Sequence, residues 1–205
     1  GTGVGVNVFE SLNTGDNNTA LGFNALKDNT TGSDNTAIGR TTLVSTTTGS
    51  NNTAVGSIAL NVNTGDHNTA VGKSSLAANT SGERNTGLGS LCLDANTTGN
   101  YNTGAGYATL SENTTGTQNT GFGYAALGNN STASNNTAVG YTALNTNTTG
   151  YSNTAMGFNA LGTLSTGINS VAIGTSAADA VTTGSYQVAV GVNALGSATT
   201  ANNNT

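Results

Sequence analysis

A glycine returns at a fixed interval along this chain, and that interval limits the fold more than any local signal. It stands at Gly5, Gly22, Gly39, Gly56, Gly72, Gly89, Gly106, Gly123, Gly140, Gly157, Gly174 and Gly191. Every step is 17 residues except one of 16, between Gly56 and Gly72. Self-similarity at one spacing makes the chain a single supersecondary unit stacked on itself. Twelve units fill the 205 residues, and the expectation is one repeat domain over 1–205, an open-ended piece of a longer array.

Aligned on that glycine, the repeat resolves into columns. The residue just before it is apolar throughout (Val4, Leu21, Val139, Met156, Ile173 among them) and is expected to face a core. Two before it stands Ala or Gly, as at Ala138, Ala155 and Ala172, so that face is expected to be closely covered. Three before it is Thr, replaced by Val171 and Val188, which puts this column on the side of the apolar one. Such alternation has the period of a strand. Four after the glycine comes a second apolar column, including Leu127, Leu144 and Leu161, and then a polar connection such as Asn147-Thr148-Thr149-Gly150. Gly after an Asn/Thr cluster is turn chemistry, since it tolerates positive φ. No apolar stripe of period 3.6 runs far enough for a helix. Each unit is therefore expected to be one coil of a parallel β-solenoid with two short strands and a core ladder of Val139, Leu144, Ile173, Leu127 and Leu161. At about 4.8 Å per rung, twelve coils make a column about 58 Å tall.

Composition agrees with a fibrous chain and excludes several functions. Charged residues are 6% of the total, net charge is −5, and proline is absent. An ordinary soluble domain carries about 25% charged residues. Four Lys and Arg in all cannot form the basic face that nucleic acid needs. No apolar run reaches the roughly 18 residues of a membrane span. A single cysteine, Cys92, excludes an intrachain disulfide scaffold and reads as a small buried residue. With a thin core, and small-residue columns that let a second backbone approach, the expected state is a homo-oligomer. Three columns around one axis is the favoured arrangement.

Asn169-Ser170-Val171-Ala172-Ile173-Gly174 resembles the head repeat of trimeric autotransporter adhesins of the YadA type. The NTA-x-G-x-x-A-L series is similar to repeats in the shafts of phage and viral tail fibres. The resemblance spans essentially the whole chain. It implies a trimeric, left-handed parallel β-roll displayed outside a cell or on a virion and attaching to a surface. The repeat here is longer than the adhesin head repeat, and its turn is richer in Asn and Thr.

Few side chains suggest chemistry. Tyr107, Tyr124, Tyr141 and Phe158 follow the glycine in consecutive coils; they form either a lateral strip for a glycan or protein or a seam between chains. Asn-x-Thr/Ser matches, among them Asn17, Asn29, Asn51, Asn96, Asn113, Asn135 and Asn147, are potential glycan acceptors, although a repeat built from Asn and Thr generates them by composition. His67 beside Asp66 lacks a third group and a pocket. Asp16, Asp34 and Asp66 are too sparse for calcium. Gly87-Leu88-Gly89 lacks the βαβ setting of a dinucleotide loop. No catalytic residue, metal or cofactor is expected, and no enzyme. The expected function is a structural fibre segment, an extracellular adhesin head or viral tail-fibre shaft. Its alternatives are a self-assembling extracellular filament that stacks end to end and an ice-binding solenoid. The ice reading is weakened by the expectation that the Thr of NTA faces inward.

Overall fold

The computed structural model describes all 205 residues. It contains twelve three-residue strands, from β1 (Thr2–Val4) to β12 (Val188–Val190), in one parallel sheet whose order follows the chain. Each strand pairs with the next in register, so that in β9 (Thr137–Val139) and β10 (Thr154–Met156) Ala138 lies opposite Ala155. The chain is a parallel β-solenoid with no helix. Residues 17 apart stack directly, and the 16-residue step is absorbed in the turn at Asn63-Thr64-Gly65. Across it Thr53 still pairs with Thr69 and Ala54 with Ala70.

Each coil has one strand, not two. Of 120 backbone hydrogen bonds only 22 lie within strands, so the corners hold the stack as much as the sheet does. One coil bonds to both neighbours: Thr137 N–H donates to Asn153 O at 2.8 Å and Leu144 N–H to Ala160 O at 2.9 Å in the next coil, and Thr142 N–H to Tyr124 O at 2.9 Å in the preceding one. The leucine column expected on a second strand lies instead on a turn. Leu127, Leu144 and Leu161 have φ of 55°, 51° and 49°, yet all three are fully buried. A left-handed non-glycine residue costs about 1–2 kcal/mol, and this coil holds three, Asn135, Thr142 and Leu144. Hydrogen bonds to the coils above and below offset that strain.

The strand alternates with the expected period but in the opposite phase. Ala138, Ala155 and Ala172 are fully buried inside their own coil, not against a second column. Val139 and Ile173, expected in the core ladder, point out; Ile173 is 41% exposed and Val139 only partly covered. The threonine three before the glycine shares that outward side, as at Thr19 and Thr53. The reason is interior width. A Cβ at Gly104 would sit 2.5 Å from Cys92 Sγ, and one at Gly121 2.6 Å from Thr109 Cγ2. Real carbon atoms do not pack so closely, so only Ala or Gly fits at that position. Glycine occurs there where the facing residue is Ser75, Cys92 or Thr109, and alanine where it is Ala126, Ala143 or Ala160. Val8 facing Ala20, at the open end of the stack, and Thr42 facing Ala54 depart from this trade, and nothing in the structure explains the second.

Two glycine columns have separate causes. Gly140 has φ +141°, and a Cβ there would meet the Gly157 carbonyl oxygen of the next coil. Gly150, whose equivalent ten after the glycine in another coil is Ala133, has no left-handed backbone; the left-handed residue is Ser152. What Gly150 provides is close approach, since its Cβ would run into the Gly167 carbonyl oxygen.

Candidate interaction surface and buried amide ladders

Of the 65 buried residues, 22 are polar. Asparagine four before the glycine is buried in coil after coil, from Asn18 to Asn153, and a second asparagine, seven after it, is buried from Asn29 to Asn147 with one break at Thr46. Buried amides are tolerated only when hydrogen-bonded, and these bond across coils. Asn136 Nδ2 donates to Gly150 O at 2.8 Å, while Asn136 Oδ1 accepts the backbone N–H of Asn153 at 2.9 Å. In the second ladder Asn113 Nδ2 donates to Asn96 Oδ1 at 2.8 Å, and Asn96 Nδ2 to Asn79 Oδ1 at 2.6 Å. The second column is expected from the sequence in solvated turns, and the first is not singled out there at all. The signal that marks them is constancy of spacing, which a solvated turn does not require.

The ladders end where the residue type changes. Thr46 interrupts the second one, and there Asn29 Oδ1 and Thr46 Oγ1 have no partner. At the other end Leu164, Val181 and Ala198 replace asparagine, leaving Asn147 Oδ1 unpaired.

Outside, two columns flank the glycine. The one before it presents Leu21, Ile38, Val71, Leu88, Phe122, Met156 and Ile173 to solvent. The one after it holds Tyr107, Tyr124, Tyr141 and Phe158, which are 47–53% exposed. Their ring centroids are 5.5, 4.9 and 5.4 Å apart and their planes within 14° of parallel. Each ring therefore covers its neighbour's face, and solvent meets edges and hydroxyls. A sugar that stacks on an aromatic face finds none open between the rings, and only the outer faces of Tyr107 and Phe158 are not covered by another ring. The residues above and below, Thr175 and Ser90, end it.

Elsewhere no reactive constellation forms. His67 is an exposed corner residue with φ 59°. Its neighbour Asp66 accepts the Ser50 backbone N–H at 2.7 Å through Oδ1, a structural role. Burial pushes the Cys92 thiol up to about 12, with the nearby Asp94 carboxylate adding to it, so the thiolate needed for nucleophilic chemistry is disfavoured. Burial raises Asp94 as well, and Glu112 adds to that shift. No group of three or more His, Cys, Asp and Glu is placed to hold a metal ion, and the surface has no pocket. No family model, curated protein or solved structure matches the chain.

Proposed function

We propose that this chain is a structural fibre segment, the shaft of a viral tail fibre or the head of an extracellular adhesin, in which three left-handed columns associate laterally. The observation that carries this reading is the outward apolar column. It runs from Val4 to Val190 without a charged residue, over about 50 Å at one rung per 4.8 Å. Monomeric soluble proteins rarely leave so long a continuous apolar strip in water. The seam therefore moves from the alanine column, which is used up inside each coil, to the column of Val139, Met156 and Ile173 and the aromatic ladder beside it. Attachment, to a host glycan or protein, falls to ring edges and polar corner side chains along the shaft. No nucleic acid or membrane insertion enters this function.

Sedimentation equilibrium supplies the test. The expected result is a discrete three-chain species that dissociates in a Met156→Lys, Ile173→Lys variant whose circular dichroism is unchanged. A discrete monomer overturns the proposal, and fibres of mixed length replace it with an end-to-end filament. A second reading draws on the outward threonine row, Thr19 to Thr154. That row, expected from the sequence to face inward, faces out and offers a regular hydroxyl and methyl face to ice. Thermal hysteresis by a monomer would favour that reading.

A further inference from the structure

The sequence contains eleven Asn-x-Thr/Ser matches, and the fold divides them by environment. Six are wholly buried: Asn29, Asn79, Asn96, Asn113, Asn130 and Asn147. All belong to the second amide ladder. Their Nδ2 atoms donate inward, as Asn96 does to Asn79 Oδ1 at 2.6 Å and to Gly99 O at 3.1 Å. The other five are exposed. Four of these, Asn17, Asn51, Asn135 and Asn203, occupy one outward corner column with φ between 57° and 62°. The fifth, Asn129, lies on another corner and has Ser at the third position.

We propose that Asn17, Asn51, Asn135 and Asn203 form a row of N-glycan acceptors on the folded column, and that the six ladder asparagines are acceptors only in the unfolded chain. The chemistry explains the division. Glycosylation joins Nδ2 to the anomeric carbon of an activated sugar donor; the bond from that carbon to the donor's diphosphate breaks, and Nδ2 gives up one proton to base. At a ladder asparagine this removes one of two engaged N–H donors and attaches a bulky group to an atom with no solvent access. At the corner column the asparagine is exposed. The one recorded Nδ2 bond there, from Asn17 to Asp34 Oδ1 at 3.1 Å, lies on the surface. Asn17 and Asn51 are two rungs apart and Asn51 and Asn135 five, or about 10 and 24 Å, enough for independent glycans. The chain must then complete its stack before it meets a glycosyltransferase.

A soluble N-glycosyltransferase supplied with a nucleotide-sugar donor tests this on the folded protein and on the same protein in urea concentrations that the enzyme withstands. Site occupancy is mapped by mass spectrometry. On the folded chain, sugar is expected at the corner asparagines and absent from Asn96 and Asn113, and Asn135→Gln removes its own site alone. The unfolded chain is expected to take sugar at both classes, and molecules occupied at Asn96 should stay protease-sensitive after urea is removed. Sugar on Asn96 within a protease-resistant column overturns the proposal. So does a folded chain left bare at every corner site that the enzyme modifies when the chain is unfolded.

Discussion

Coils up to Asn153 and coils beyond it share one backbone register but fill the same interior column differently. In the earlier coils the position seven after the glycine holds a laddered asparagine, whereas in the later ones it holds Leu164, Val181 and Ala198. The companion column changes as well, from asparagine to Ser170 and Gln187. Gln187 reaches the Ala201 carbonyl at 2.7 Å with its longer side chain. The lesson is that inter-coil backbone bonds set the stack, and the column is amide or apolar as long as it is continuous. In this column unpaired atoms occur at the changes of type, Asn29, Thr46 and Asn147, and not within either run; the other buried unpaired atom, Asp94 Oδ1, lies outside it.

The largest effect should be blind to this difference. Gly140→Ala and Gly174→Ala both force a Cβ into the next coil's carbonyl at φ +141° and +131°. Each should cost more than about 4 kcal/mol, in the range of severe core lesions. Urea melts showing one region tolerant would break the idea of a shared backbone frame.

Next come the ladder substitutions, where the regions should part. Asn96→Leu orphans Asn79 Oδ1 and one Asn113 amide hydrogen, at a cost of about 2–5 kcal/mol. Asn147→Leu only lengthens the apolar run. Gly150 O keeps its bond from Asn136 Nδ2 at 2.8 Å, and Asn130 Oδ1 a longer one at 3.4 Å. The expected cost is below about 1 kcal/mol; equal losses in the two variants would dissolve the comparison.

Smaller still is the width trade across the coil. Gly104→Ala should cost about 1–3 kcal/mol by overpacking against Cys92. Adding Cys92→Ala should return most of it, because Ala143 facing Ala155 is the same arrangement. A double-mutant cycle with no coupling would show that the two sites do not compete for space. The smallest change expected is a gain. Thr46→Asn restores the broken ladder, giving Asn29 Oδ1 a donor, and should stabilise by about 1 kcal/mol, read as a higher urea midpoint.

Much of this architecture was legible from spacing. The stacked coils, the parallel register, the buried Leu144 column and the loop location of the 16-residue step follow from the repeat. The phase of the strand did not, because Thr137-Ala138-Val139 alternates with period two whichever side faces in. Apolarity favoured Val139 as the core residue, and coil width decided for Ala138. The asparagines were missed for a related reason. Asn is usually solvent-exposed, and within its own turn the amide finds only a nearby carbonyl, as Asn96 finds Gly99 O; the amide-to-amide bonds that complete the ladder come from the neighbouring coils.

The sequence by itself determined that equivalent side chains lie one above another, since a constant interval leaves the chain no other consistent way to bury a recurring leucine. Only the tertiary structure decided which columns are inside. That choice rests on the narrow space left at the strand by one 17-residue turn, which admits only alanine or glycine there and turns the strand's valines and isoleucines outward.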